Sequence, residues 1–270
     1  MPHHDLKGRV AIVVGAGQTQ GSTLGNGRAT AIVFARAGAK VIVVDRDLAS
    51  ADETVAMIRD EGGQADAVRA DVTQESSLAA MVERAMALHG RIDVLHNNVG
   101  VAGAGGDAPV EDITEEAFDR LTNLNLKGMV LTCKHVLPLM RKQQSGSVIN
   151  VASTATFALY PNVAYKATKM GVLGLTQHIA MRYAADGVRA NSILPGLIDT
   201  PMAIEARVQL TGRDRQDIIE ERNAMVPLRG RMGTSWDVAN AALFLASDAA
   251  GFITGVHLPV DGGALARVGP

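Results

Sequence analysis

The sequence predicts an α/β protein built on a doubly wound parallel sheet. Three observations carry that prediction. Short β-branched runs alternate with amphipathic stretches of helical length, the first run is followed by a glycine-rich turn and a helix, and polar residues recur where the runs end. The 270 residues contain no internal repeat, low-complexity tract or linker, so a single domain spanning 1–270 is expected. Residues are 47% hydrophobic and the formal net charge is −2, which gives the chain no electrostatic reason to seek nucleic acid or an acidic membrane. No apolar run approaches the roughly 20 residues of a membrane helix, and the opening Met-Pro-His-His-Asp-Leu-Lys-Gly lacks a signal peptide's apolar region. Cys133 is the only cysteine, so no intrachain disulfide forms, and a reducing, cytoplasmic location is expected. The seven histidines are scattered without metal-ligand spacing, so no metal is expected.

Val10–Val14 reads as the first strand. Gly15, Gly17, Gly21, Gly25 and Gly27 punctuate the turn after it, before a helix from Arg28 to Ala37. Glycines let the backbone approach a pyrophosphate, and the helix amino terminus supplies N–H donors and the positive end of a dipole. The second strand, Val41–Val44, ends in Asp45, close to the spacing at which an acidic side chain accepts hydrogen bonds from an adenosine ribose. Asp45 would repel a 2′-phosphate, which favours NAD over NADP, although the adjacent Arg46 offers that phosphate a cation. Alternatively, Asp45 or Asp47 caps the helix that begins near Leu48.

That helix runs to Glu61 and stops at Gly62-Gly63. Ala67–Ala70 is the third strand, leading to Asp71 and Val72; Asp71 either meets an adenine edge or caps the helix from Ser76 to His89. Ile92–Leu95 is the fourth strand. His96-Asn97-Asn98-Val99-Gly100 and a loop of small residues as far as Ala108 follow it, presenting Asn98 and Gly100 to the switch point between strands one and four, unless they form only an Asn-rich turn. Thr114 to Arg141 is helical, with Pro138 bending or ending it. Asn125 inside it faces solvent, or else bonds a backbone carbonyl or water.

Ser147–Val151 is a buried fifth strand with Ser153 at its carboxyl end, where open parallel sheets place ligands. Tyr165 and Lys169 follow, four apart on a helix and therefore one turn apart on one face. A free tyrosine titrates near 10, so forming phenolate at neutral pH costs about 4 kcal/mol. An ammonium about 4 Å away at an effective dielectric of about 20 offsets roughly that amount. Val188–Leu194 is the sixth strand, ending in Pro195-Gly196, with Ile198 and Thr200 beyond. Residues 203–224 are charged and amphipathic and fall outside the alternation, so 199–226 is read as a substrate lid or, alternatively, a surface hairpin of helices. Ser235 caps a helix to about Ser247, and Val256–Val260 closes the sheet. Leu159, Tyr160, Ile198, Met202 and Met225 suggest a mainly apolar substrate pocket.

Assembled in order, these residues resemble the short-chain dehydrogenase/reductase family over essentially the whole chain. The matching positions are Gly15, Gly25 and Gly27, Asp71-Val72, Asn97-Asn98-Val99-Gly100, Asn125 within Asn-Leu-Lys-Gly, Ser153, Tyr165 with Lys169, Pro195-Gly196 and Asp261-Gly262-Gly263. The resemblance implies a Rossmann-type sheet of seven strands in the order 3-2-1-4-5-6-7 and a homotetramer or homodimer. It also implies a catalytic tetrad in an NAD-dependent oxidoreductase that interconverts a secondary alcohol and a ketone. In that tetrad Tyr165 is the general acid/base and Lys169 lowers its pKa and holds the nicotinamide ribose. Ser153 polarises the substrate oxygen, and Asn125 positions a water in a proton relay. The cofactor positions carried over are Gly15, Gly25, Asn26, Gly27, Asp45, Arg46, Asp71, Val72, Asn98, Gly100, Tyr165, Lys169, Pro195, Gly196, Ile198 and Thr200. The chain departs from the family in a glycine loop longer by about six residues, in Asn26 where an apolar residue is usual, in Val99 for alanine, and in a Ser153 to Tyr165 interval one residue short. Other readings are a catalytically silent NAD-binding or sensing protein and a reductase of activated C=C bonds. The latter usually has a wider tyrosine to lysine spacing, a place held here by Val172.

Overall fold

The computed structural model describes residues 4–103 and 106–267. Ala104 and Gly105, in the middle of the small-residue loop, lie outside the described residues. Seven parallel strands form the main sheet in the order β3-β2-β1-β4-β5-β6-β9. They are β1 (Val10–Val14), β2 (Lys40–Asp45), β3 (Gln64–Arg69), β4 (Val94–Asn97), β5 (Gly146–Val151), β6 (Val188–Pro195) and β9 (His257–Val260). This is the expected order. The last strand is ninth in the chain only because β7 (Ile198–Asp199) and β8 (Gly233–Thr234) pair in a separate two-stranded ladder. Helices α1 (Asn26–Arg36), α2 (Leu48–Asp60) and α9 (Ser235–Ala246) cover one face, around Phe34, Val55, Ile58 and Leu245. Helices α3 (Glu75–His89), α5 (Gly128–Gln143) and α6 (Val163–Arg182) cover the other, around Leu78, Met81, Val136 and Ile179. With both faces covered, the central strands are apolar throughout: all five residues of β1 are buried.

Several boundaries differ from the sequence reading. β4 begins and ends two residues later than the apolar run suggested, which brings His96 and Asn97 into the sheet, both fully buried. Asn97 Nδ2 donates to Asn150 Oδ1 at 2.9 Å, and Asn150 Nδ2 donates to Thr176 Oγ1 at 3.0 Å, so a chain of side chains ties β4 to β5 and α6. His96 packs edge-on to Phe34, and burial takes its pKa down to about 3, which keeps the ring neutral. Helix α1 starts at Asn26 rather than Arg28, and β3 lies earlier than Ala67–Ala70. Asp47, not Asp45, caps α2, accepting from Ala49 and Ser50. Thr234, not Ser235, caps α9 in a reciprocal box with Asp237.

The long helical region divides into α4 (Glu115–Thr122), a π-helical segment Asn123–Lys127, and α5. Helix α5 passes through Pro138, which lies on its exposed side, and ends only at Gln143. The charged region after β7 folds as a hairpin of α7 (Pro201–Thr211) and α8 (Arg215–Ala224) with its own small core of Ile204, Ile218, Val226 and Met232. Among the described residues no helix is long and apolar enough to cross a membrane. Because Pro138 lacks the N–H that would reach one turn back, Pro138→Ala is expected to stabilise the fold by roughly 1–3 kcal/mol. Urea unfolding checks this, and an unchanged midpoint would show that α5 has already absorbed the defect.

Candidate active site

The carboxyl ends of β1 to β6 open into one cleft of about 520 Å³. All the expected cofactor positions line it: Gly15, Gly25, Asn26, Gly27, Asp45, Arg46, Asp71, Val72, Asn98, Gly100, Pro195, Gly196, Ile198 and Thr200, together with Ser153, Tyr165 and Lys169. Asn125 lies one layer behind the cleft wall, fully buried.

At the β1 end, Gly15 adopts a φ of +80°, and a Cβ on Gly27 would strike the Gly15 carbonyl oxygen and the Asn98 amide. Strand end, helix start and the turn after β4 thus meet too closely for any side chain, and Asn98 Nδ2 closes the contact by donating to Gly15 O at 3.0 Å. Asp45 accepts from Gly17 N at 3.0 Å through one oxygen and from Asp47 N at 3.1 Å through the other, while retaining lone pairs on both. Asp71 neither caps α3, whose N-cap is Gln74, nor stands free. Its carboxylate accepts from Thr73 N and Thr73 Oγ1, and those two hydrogen bonds hold its pKa below the usual value. The additional residues of the glycine loop are fastened by Gln18, which accepts from Gly25 N at 3.0 Å and donates to Thr23 O at 3.4 Å. Farther along, Gly21 packs against Pro201 and Ser22 accepts from Arg215 at 2.8 Å, so the loop reaches the α7–α8 hairpin.

At the β5 end, Ser153 is in extended backbone and its hydroxyl sits beside the Tyr165 phenol despite the shorter interval. Lys169 is 2% exposed. Its Nζ donates to Val151 O at 2.8 Å and lies 5.7 Å from the centre of the Tyr165 ring. Burial lowers Lys169 to about 8, which leaves it mainly protonated at neutral pH. The expected lowering of Tyr165 is not what the surrounding protein groups achieve. Burial raises the phenol above its ordinary value, and the Ser153 hydrogen bond and the Arg207 charge only oppose that rise.

Asn125 does not face solvent; it bonds a backbone carbonyl, the second of the two expected arrangements, and accepts from a backbone N–H as well. Its Oδ1 accepts from Val101 N at 2.7 Å and its Nδ2 donates to Val101 O at 2.9 Å, a two-handed clamp on the loop after β4. The π-helical segment is centred on this residue. The other end of the loop holds a residue that the sequence reading passed over. Asp107 accepts from Ala164 N at 2.8 Å and from Tyr165 N at 2.9 Å, and Ala108 O accepts from Val163 N at 2.9 Å. Asn162, the local N-cap residue of α6, makes no side-chain cap bond. The first turn of α6, which carries Tyr165, is therefore capped from a distant loop. An aspartate among small loop residues gives no sequence signal of a partner so far along the chain. Among the described residues no cluster of three or more His, Cys, Asp or Glu side chains is placed to hold a metal.

Fold and cleft together define the dinucleotide-binding class of doubly wound α/β proteins. A family model described as enoyl-(acyl carrier protein) reductase matches residues 21–264. Cis-4-hydroxycyclohexanecarboxylate dehydrogenase of Sinomonas cyclohexanicum is 40% identical over 94% of this chain and 96% of its own. A solved putative short-chain dehydrogenase/reductase from Burkholderia xenovorans superimposes with a TM-score of 0.90 at 42% identity, covering 98% of this chain and 99% of that one. A gluconate 5-dehydrogenase from Burkholderia cenocepacia, solved with NADP and tartrate, gives 0.86 at 30% identity over 98% of both chains. The chain belongs to the short-chain dehydrogenase/reductase family, whose members are oxidoreductases that bind nicotinamide cofactors.

Removing the distant cap leaves two amides of α6 without their acceptor. Asp107→Ala is expected to cost about 1–2 kcal/mol of stability, with Asp107→Asn between it and the parent chain. Chemical denaturation measures this, and a loss within error would show that water replaces the carboxylate without penalty.

Proposed function

We propose that this chain is an NAD-dependent dehydrogenase that interconverts a secondary alcohol, carried on a ring, and its ketone. The observation that carries the reading is the convergence of Ser153, Tyr165 and Lys169 in the same cleft as the glycine turn and Asp45. The ring is suggested by the name of the Sinomonas relative, at 40% identity. The residues fit a nicotinamide dinucleotide. The Gly15–Gly27 contact excludes side chains where a pyrophosphate must approach the backbone, the amino terminus of α1 opens on the cleft, and Asn26 Oδ1 is buried without a hydrogen-bond partner. When bound, the nicotinamide supplies or accepts the hydride.

The chain's own groups handle the proton and the orientation. Ser153 and Tyr165 hold the substrate oxygen between a hydroxyl and a phenol. In oxidation the Tyr165 oxygen accepts the hydroxyl proton, and in reduction it returns one. Lys169, fixed by Val151 O, keeps a positive charge behind the phenol. Asn125 acts through Val101, holding the cleft side of the loop in register with Lys169; the space a Cβ would take on Gly100 is bounded by both side chains. The α7–α8 hairpin serves as the cover of the substrate end, within a single domain. Asp45 selects NAD by accepting from the adenosine ribose, although Arg46 beside it and the NADP bound in the Burkholderia cenocepacia structure make the preference one of degree.

Reduction of an activated double bond is the second reading, favoured by the description of the matching family model. Val172 argues against it, since it packs with Met129 and Leu194 in the core rather than offering a cation to the cleft.

Tyr165→Phe is expected to keep the fold and NADH affinity while lowering turnover by about 10²–10⁴-fold. Near-normal turnover would remove the phenol from the mechanism. The raised Tyr165 pKa means that the acid form prevails at neutral pH. Oxidation therefore speeds up as pH rises and more phenolate forms, whereas reduction, which uses the acid form, stays level until the pH nears the raised phenol pKa, and the climb in oxidation flattens above about 8 as Lys169 loses its charge. Initial rates in both directions across the pH range test this; parallel profiles would contradict it. Asp45→Ser should narrow the preference for NAD over NADP in kcat/KM by about tenfold, the effect of losing roughly 1.4 kcal/mol of discrimination.

A further inference from the structure

The α7–α8 hairpin brings positive charge to the substrate end of the cleft. Arg207 lies four residues after Ala203 on α7 and reaches back one turn, so that its Nη1 donates to Ala203 O at 2.8 Å. Pro201, Met202 and Ala203 line the cleft shared with Ser153 and Tyr165. The guanidinium therefore stands at the cleft rim. Its field reaches both Tyr165 and Tyr160, whose ring centres are 5.4 Å apart, and lowers each phenol.

Two carboxylates of this region are committed elsewhere. Asp107 caps α6, and Glu205 pairs with Arg215 at 3.1 Å. Asp199, at the start of the hairpin, has a buried Oδ1 without a hydrogen-bond partner, and its charge acts on Arg222 of α8. Among the described residues no carboxylate oxygen lies within 4.0 Å of the Arg207 guanidinium. Arg222 adds a second, buried guanidinium to the same hairpin, close enough for its charge and that of Arg207 to oppose one another. The exposed Arg207 guanidinium beside the cleft offers a site complementary to a negative charge. An exposed guanidinium with only a carbonyl partner gives up little on meeting a carboxylate and gains charge-assisted, two-pronged hydrogen bonds.

We propose that Arg207 is the receptor for an anionic group on the substrate, so that the alcohol oxidised here carries a carboxylate or comparable anion several bonds from the carbinol carbon. The proposal rests on the reading of the cleft as a dehydrogenase site. It adds what that reading lacks, the feature that separates substrates from other cyclic alcohols.

The test separates the two. Cyclohexanecarboxylate and cyclohexanecarboxamide share a ring, differ in charge and have no carbinol to oxidise, so their binding to the protein–NADH complex reports the receptor without chemistry. NADH fluorescence should show the acid binding about 10–100-fold more tightly than the amide, the range expected for a hydrogen bond to a charged group. Arg207→Gln should bring the ratio near one and Arg207→Lys should leave it intermediate. Equal binding of acid and amide, no binding of the acid, or an undiminished ratio in Arg207→Gln would each overturn the proposal. In parallel, 4-hydroxycyclohexanecarboxylate and cyclohexanol are compared by kcat/KM with NAD. Acid binding that depends on Arg207 with turnover of neither alcohol would uphold the receptor and count against the dehydrogenase reading. Turnover of both with equal kcat/KM would do the reverse.

Discussion

A buried ammonium with no carboxylate beside it among the described residues is the constraint on which the cleft depends. Lys169 is almost out of reach of water; its ammonium donates to the carbonyl oxygen of Val151 and faces the Tyr165 ring. A charge so placed is costly, as its lowered pKa of about 8 records. The fold tolerates it because β5 and α6 are locked together around it. Val151 closes β5, Asn97 and Asn150 bridge to Thr176 of α6, and Gly100 leaves room for the ammonium where a Cβ would come within 2.9 Å of Nζ. The stabilisation that a neighbouring anion would supply is thus missing from the folded chain, and a phenolate forming at Tyr165 can provide it.

The same arrangement explains why Tyr165 is held at both ends. Its helix enters the site by its first turn, where four amides have no partner within the helix and fraying begins. Asp107 and Ala108 supply acceptors for Val163, Ala164 and Tyr165 from one end of the loop after β4. Asn125 fixes Val101 at the other end of that loop. Tyr165, loop and π-helical segment form one hydrogen-bonded unit. Displacing the loop would therefore disturb the tyrosine before it disturbed the sheet.

The strand, glycine turn, helix arrangement was legible from local periodicity and chain order, and the sheet order from the family resemblance. So was the meeting of Ser153, Tyr165 and Lys169 in one cleft, at the carboxyl end of a strand and one turn apart on a helix. His96 and Asn97 were placed just beyond the fourth strand, yet the strand takes them in by giving Asn97 a partner on β5 and burying His96 in neutral form. Asp107 and the clamp by Asn125 were not legible, since each depends on residues brought together only by tertiary folding. The behaviour of Tyr165 was misjudged for a related reason. Spacing on a helix gives the direction of a charge, but the desolvation that opposes it comes from every element packed around the site.

The lengthened glycine loop has a consequence for timing. Gln18 ties its base to Gly25, beside the amino terminus of α1, and Ser22 at its tip is held by Arg215 of α8. A hairpin that swings away must let go of Ser22 and slacken the segment that borders the phosphate end of the cleft. The two ends of the cleft then share one tether, and the residence time of a ligand at either end is set partly by what happens at the other.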